Sequence, residues 1–468
     1  MNLTLLTDLY ELTMLAGYFE LRKTKERATF DLYFRKIPSQ GGYCIAAGLE
    51  DAIKYVQNLR FTKKDIGYLR SLELFSEDFL KYLKDFHFTG DIYAVPEGSL
   101  IFPNEPLIRV AAPLLEAQFL ETALLNLVGY PTLVATKANR ICLAADGREV
   151  IEFGARRAQG PNGALCGARA AFIGGCASTS NVLAGREYGI PVRGTMAHSW
   201  IQSFDSEIEA FMNYAEIFPK STLLLVDTYE TIEGVKKAIR VGLSLKKLGL
   251  QLSGIRLDSG DIKKLSIEAR RLLDEAGLSE VKIVASNELD EWIVKDLIAQ
   301  GARVDIFGVG THLITSKDVP SLGVVYKLVA IEKEGRVLPK IKISSNVEKM
   351  TNPGIKKIVR VLGENGKLAG DFLALEEEKI SLPITTFDQV FPYKKKALRG
   401  AFREVLEPIF LEGEFVYKPP FLPEIQKTMF SQVDMLEPEY KRLLNPEYYW
   451  VGLTEQLSQL KQKLILEH

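Results

Sequence analysis

The stretch Thr222–Ser286, TLLLVDTYETIEGVKKAIRVGLSLKKLGLQLSGIRLDSGDIKKLSIEARRLLDEAGLSEVKIVAS, decides the fold. It contains three apolar runs, TLLLVDT (222–228), LSGIRLD (252–258) and VKIVAS (281–286), each bounded by loop residues. Runs of this kind read as strands. Between the last two, Asp261 to Ala276 places Ile262, Leu265, Ala269, Leu272 and Ala276 on one stripe, with Gly277 positioned to cap the helix. Strand, loop and amphipathic helix in repetition imply a parallel sheet.

The same alternation extends outward from about residue 130 to 330. Further candidate strands are EVIEFG (149–154), IPVRGT (190–195), VDIFGVG (304–310) and GVVYKLV (323–329). In nearly every unit a polar cluster follows the strand: Arg156 and Arg157, Thr195 and His198, Asp227, Asp258 to Asp261, Ser286 and Asn287, and Gly308 to Thr311. Polar groups at the carboxyl ends of many successive strands are the habit of barrels, whereas open sheets gather ligands at one crevice. The expected fold class is therefore α/β, an irregular α/β barrel (TIM-like) over residues 131–335. Residues 1–130 read as an α+β, β-rich N-terminal domain, and 336–468 as a C-terminal accessory region packing on it.

Within the N-terminal domain, Leu3 to Phe19 has helical spacing and carries Asp8, Tyr10 and Glu11, and 28–35 alternates as a strand. Residues 50–86 read as helices of mixed charge, and 90–112 as short strands broken by Pro96 and Pro103. Beyond 335 comes a basic segment, LPKIKISSNVEKMTNPGIKKIVRV (338–361), whose lysines form a solvated face or a phosphate-facing rim. Leu466 to His468 reads as the stub of a purification tag and is left aside.

Bulk properties exclude several classes. A chain of 468 residues with 47% hydrophobic residues has ample material for a core and for two or three domains. A net charge of -1 argues against nucleic-acid coating or a membrane-surface role, because both need a basic face. The start lacks the basic end and apolar run of a signal peptide, and no window is apolar for long enough to span a bilayer. Cys44, Cys142, Cys166 and Cys176 form no CxxC pair and have no histidine at zinc spacing, so neither a disulfide framework nor a structural zinc is expected. A cytoplasmic location fits these features.

Chemistry concentrates in Glu152–Ser199, which gathers Arg156, Arg157, Arg169, many glycines and His198. A pocket for an anionic substrate uses arginine forks, close backbone approach and a group that exchanges a proton or phosphoryl near neutral pH. GIRLDSGD (254–261) is the second signal. Arg256 and Asp258 are two apart on a strand and share a face, and Ser259, Gly260 and Asp261 open a helix whose amides suit a phosphate, although D-S-G-D is equally a turn and N-cap. FGVGTH (307–312) has the geometry of a phosphate cradle. His198 reads as a structural histidine or as a reactive one, with Asp227 at a matching strand end able to hold its tautomer. Walker A, GxGxxG, HExxH and GxSxG motifs are absent.

Together, TDLYELTM, EFGARRAQG, GGCASTSNVLAG, GTMAHS, RLDSGD and FGVGT, in this order, closely resemble the nicotinate phosphoribosyltransferase family, of the type II phosphoribosyltransferases. The resemblance runs from the first residues to about 360 and on to LLNPEYYWVGL. It implies formation of nicotinate mononucleotide and pyrophosphate from nicotinate and phosphoribosyl pyrophosphate in NAD salvage, with Mg²⁺. It also implies ATP hydrolysis coupled through a phosphohistidine, and a homodimer with shared active sites. On this resemblance His198 is the phosphorylated residue and Asp227 its partner. Phe153 stacks on the pyridine, with Tyr10 of the other subunit on the opposite face. Arg156 and Arg157 meet the carboxylate and phosphates. Arg256, Asp258, Ser259, Gly260 and Asp261 form the ribose and pyrophosphate site, and Gly308, Gly310 and Thr311 the 5′-phosphate cradle. Thr195, Ser286 and Asn287 lie in the same layer. Where relatives that use nicotinamide carry an aspartate, this chain has Ser180, a neutral donor that suits a carboxylate. A barrel isomerase or aldolase for sugar phosphates, and a non-catalytic nucleotide sensor, are the rival readings.

Overall fold

The computed structural model describes residues 2–346 and 349–467, so Val347 and Glu348 of the basic segment and the terminal His468 lie outside the described residues. The chain divides into two compact units, Val134–Pro320, and Met1–Leu133 together with Ser321–His468. The region beyond 335 therefore belongs to the same unit as the N-terminal residues.

The Val134–Pro320 unit is built on six parallel strands. Their order across the sheet is Ser178–Thr179, Glu149–Glu152, Ile306–Val309, Lys282–Ala285, Gly254–Leu257 and Leu223–Leu225. The central apolar runs become strands because both faces are covered. Leu224, Leu225, Ile255, Leu257 and Ile283 are buried against Val235, Ala238, Val241 and Leu245 of the helix Thr231–Lys247, and against Ala269 and Leu273 of the helix Ile262–Glu275. Each such burial contributes about 1.5–3 kcal/mol, so sheet and helices stabilise one another. The second helix begins where the Asp261 carboxylate accepts the Lys264 N–H at 3.0 Å and ends before Gly277, at φ +70°.

The TIM-like barrel is only partly realised. The sheet has six strands rather than the eight of a closed (β/α)₈ barrel. Its edge strands, Ser178–Thr179 and Leu223–Leu225, are linked only through the irregular segment 191–195. There Val192 makes a single parallel bridge to Thr179, and the Thr195 hydroxyl donates to the Leu223 carbonyl. The expected strand IPVRGT does not form: Pro191 and Gly194 interrupt it, and 191–194 lie exposed. GVVYKLV is also reassigned. It begins the strand Val324–Lys333, which pairs antiparallel with Arg27–Phe34 in the other unit.

The other unit is rich in antiparallel sheet. Seven strands run in the order Arg336–Pro339, Val324–Lys333, Arg27–Phe34, Ile108–Pro113, Asp91–Ala94, Glu407–Leu411 and Glu414–Phe415. A six-stranded sheet carries Lys356–Leu362 beside Leu368–Leu375. Arg360, fully buried, forks onto Asp371, with Nη2 2.7 Å and Nε 2.9 Å from Oδ2, and Tyr449 donates to Oδ1 at 2.7 Å. The first helix spans Leu9–Glu20, shorter than the Leu3–Phe19 pattern, because Asp8 stands at its N-cap and accepts from Thr122 at 2.6 Å. Among the described residues no helix is long and apolar enough to cross a membrane, and no cysteine is joined in a disulfide.

Candidate active site

The carboxyl ends of the parallel strands hold one connected set of side chains. Phe153 follows the strand Glu149–Glu152, and its N–H donates to the Val309 carbonyl at 2.8 Å. Its ring lies on Gly308: a Cβ there would fall 2.6 Å from both Cδ2 and Cε2 of the ring. Gly308 is thus a strand residue that makes room for an aromatic ring. On the same ring stands Arg256, its guanidinium carbon 5.5 Å from the centroid, within range of a cation–π interaction. Arg256 is fixed in turn, donating through Nε to Ser286 at 2.7 Å and through Nη2 to Asp258 Oδ1 at 2.7 Å.

Asp258 joins this aromatic end to His198. It accepts from Arg256 and from the Ser286 hydroxyl, and its Oδ2 lies 3.7 Å from His198 Nε2. Burial works against its charge, but Ser286, Arg256 and His198 outweigh that and hold the carboxyl below its usual range. His198 Nδ1 meets the Thr228 hydroxyl at 3.1 Å. Asp227, expected to hold this histidine, turns elsewhere: its Oδ2 accepts the Asp258 N–H at 2.9 Å and the Ser259 hydroxyl at 2.6 Å. The immediate partners of His198 are therefore Thr228 and Asp258, and Asp227 secures the turn that carries Asp258. The other Asp227 oxygen is buried with no hydrogen-bond partner among the described residues.

The remaining expected residues sort by what they touch. Arg156 and Arg157 lie exposed on the 3₁₀ turn Ala155–Arg157, three and four residues past Phe153. Ser180 is half-buried, and its N–H donates to the Glu152 carbonyl at 2.9 Å. Thr195 commits its hydroxyl to the Leu223 carbonyl and so joins the sheet edges. Asp261 is the N-cap of its helix, with Ser259 and Gly260 exposed before it. Asn287 sits at the end of Lys282–Ala285 with φ +86°, a backbone state that asparagine tolerates. Gly310 and Thr311 close the strand Ile306–Val309. Tyr10 lies in the other unit on the helix Leu9–Glu20, 45% exposed.

Two contacts escaped the sequence reading. Thr228 adjoins Asp227 in TLLLVDT, where the carboxylate is the more conspicuous candidate partner for a histidine. Glu152 looked like the end of a strand, yet it is 1% exposed, and a carboxylate buried to that degree needs donors. Among the described residues no group of three or more His, Cys, Asp or Glu side chains is gathered to hold a metal ion.

Comparison with known proteins agrees along the whole chain. The nicotinate phosphoribosyltransferase (NAPRTase) N-terminal domain matches residues 5–129, the nicotinate phosphoribosyltransferase (NAPRTase) family 149–364, and the nicotinate phosphoribosyltransferase C-terminal domain 355–461. A nicotinate phosphoribosyltransferase of Bacillus subtilis is 45% identical over 473 residues, covering 100% of this chain and 96% of the relative. One of Caenorhabditis elegans is 37% identical, covering 99% and 93%. The crystal structure of human nicotinic acid phosphoribosyltransferase superposes with a TM-score of 0.87 at 32% identity, covering 98% and 99% of the two chains. The chain belongs to the nicotinate phosphoribosyltransferase family.

Proposed function

We propose that this chain transfers the phosphoribosyl group of phosphoribosyl pyrophosphate to nicotinate, yielding nicotinate mononucleotide and pyrophosphate for NAD salvage in the cytoplasm. ATP hydrolysis is coupled to the transfer through phosphorylation of His198. The observation that supports this best is the unbroken run of contacts from Phe153 through Arg256 and Asp258 to His198. It sets an aromatic stacking surface and a guanidinium, suited to a pyridine and a leaving pyrophosphate, beside an imidazole able to take up a phosphoryl group from ATP.

Displacement at the anomeric carbon proceeds through a cationic, oxocarbenium-like state, so catalysis rests on holding the leaving pyrophosphate and aligning the pyridine nitrogen. Phe153 stacks the pyridine, with Tyr10 from a second copy of the chain covering its other face in a homodimer with shared sites. Arg156 and Arg157 meet the carboxylate and phosphates. Ser180, a neutral donor, suits the acid over the amide. Arg256, with Asp258 to Asp261, binds ribose and pyrophosphate, and Gly310 and Thr311 lie toward the 5′-phosphate. Mg²⁺ bound mainly by substrate phosphates fits this set, since such a site needs only one or two carboxylates and Asp227 has an unbonded buried oxygen beside Asp258. Asp227 and Asp258 would hold it, and when bound it neutralises charge on the leaving pyrophosphate. Thr228 orients the His198 ring, and the Asp258 carboxylate stabilises it as it gains positive charge on phosphorylation.

The test compares pyrophosphate release on nicotinate by wild type and H198A, with and without Mg-ATP. H198A should keep slow ATP-independent turnover and lose all stimulation by ATP. Stimulation equal to wild type would refute the assignment of His198.

A further inference from the structure

Glu152 is the charged group most completely enclosed at this end of the sheet, at 1% exposure, and every atom of its carboxylate is engaged. Oε1 accepts the Gly154 N–H, and Oε2 accepts the Thr179 hydroxyl at 2.6 Å. The Thr179 oxygen in turn accepts the Asn181 N–H at 3.0 Å. Asn181 caps the helix Val182–Tyr188 by accepting from Ala184, and its Nδ2 donates to the Ala164 carbonyl of the helix Gly160–Ile173. The Glu152 main-chain oxygen holds the Ser180 N–H. One side chain thus ties the turn bearing Phe153, Arg156 and Arg157 to the segment bearing Ser180.

Gly154 leaves no room for a side chain in this arrangement. A Cβ there would fall 2.4 Å from Ile314 Cβ and 2.8 Å from Glu152 Oε1. Burial pushes the Glu152 carboxyl up, and the bonds from Thr179 and Gly154 oppose that, so these two donors are what keeps the buried group in its acceptor role.

We propose that Glu152 is a positioning residue for the pyridine acid, setting the spacing between the stacking ring with its arginines on one side and Ser180 on the other. The inference rests on the reading that Phe153, Arg156, Arg157 and Ser180 form the nicotinate pocket. Glu152 touches neither substrate, so its effect falls on the affinity for the pyridine and not on that for phosphoribosyl pyrophosphate, whose proposed contacts lie on other strands. E152Q isolates the effect: the amide oxygen still accepts from Gly154, while the NH₂ group faces Thr179 as a second donor, and the Thr179 hydroxyl loses its acceptor. T179V removes the same link from the other side together with the acceptor of the Asn181 N–H, and leaves the Glu152 to Gly154 bond intact.

Steady-state kinetics on wild type, E152Q, T179V, the double variant and F153A decide the matter. E152Q should raise KM for nicotinate by about tenfold, with KM for phosphoribosyl pyrophosphate changed by less than about twofold. T179V should act in the same direction, and the double variant should be within about twofold of T179V, because E152Q breaks a link that T179V has already removed. An unchanged nicotinate KM in E152Q and T179V, or an equal rise in both KM values, overturns the inference. If E152Q does not fold, T179V alone carries the test by the same criteria. F153A separates the two levels of the argument. A raised nicotinate KM in F153A with none in E152Q and T179V overturns the positioning role alone, whereas an unchanged KM in F153A overturns the pocket reading beneath it.

Discussion

Replacing Gly308 by alanine would place a methyl group 2.6 Å from two carbons of the Phe153 ring. Non-bonded carbons settle at about 3.5–4.0 Å, so the ring must retreat by about 1 Å. Its backbone is pinned by the 2.8 Å bond to the Val309 carbonyl, and the Arg256 guanidinium stands 5.5 Å from its centroid, so the retreat tilts the stacking surface and disturbs its cation–π neighbour together. A displacement of about 1 Å at a substrate-positioning group costs on the order of 100-fold in rate. That corresponds to about 2.7 kcal/mol of transition-state stabilisation. The expected result for G308A is a fall of about 100-fold in kcat/KM for nicotinate, measured by pyrophosphate release, with a melting temperature close to that of wild type. Wild-type kcat/KM in a folded G308A would refute the claim that Gly308 exists to seat Phe153. So would a loss confined to KM for phosphoribosyl pyrophosphate, which would return Gly308 to the phosphate.

Two further predictions concern a hydrogen bond and a buried amine. T228V removes the partner of His198 Nδ1, a bond worth about 1 kcal/mol, and should slow phosphorylation of His198 by Mg-ATP about fivefold, read by quenched-flow labelling, while ATP-independent turnover stays as in wild type. Lys461, 8% exposed and donating to Asn352 and Gln389, has its amine pushed down to about 8, chiefly by burial. Below that pH the folded state bears a buried charge. Because the folded value is depressed below the unfolded value of about 10.4, the stabilisation is complete above 10.4 and is lost as pH falls through 8. Wild type should therefore gain up to about 3 kcal/mol relative to K461M between pH 7.5 and 10.5, measured by chemical denaturation, and parallel pH profiles would contradict this.

How far the sequence discloses the molecule can be judged residue by residue. The strands around Leu224, Ile255 and Ile283 were legible because each is buried on both faces, and their apolar runs leave no other assignment. The helix Ile262–Glu275 was legible down to its Asp261 cap. IPVRGT was misread because its apolar residues could not reveal that Pro191 and Gly194 would reduce it to one bridge. GVVYKLV was misplaced because a strand's own residues do not name its partner, and pairing with Arg27–Phe34 is a contact across most of the chain. At the site, the grouping of Phe153, Arg256, Asp258 and Ser286 followed from their common position at strand ends, while His198 follows the segment IPVRGT that makes only one bridge. Which carboxylate faces His198 did not, because Asp227 and Asp258 occupy equivalent strand ends and only the turn at Ser259 sends them in different directions. Gly308 and Gly310 read alike as glycines of one motif, and only the ring against the first separates them.

The measurement that bears most directly on the central claim is pyrophosphate release from phosphoribosyl pyrophosphate with nicotinate, nicotinamide or quinolinate in turn, each with and without Mg-ATP. The account predicts release with nicotinate alone, increased by ATP. Preference for nicotinamide would contradict the role given to Ser180, and no release with any of the three would contradict the assignment of this strand-end site to pyridine phosphoribosyl transfer.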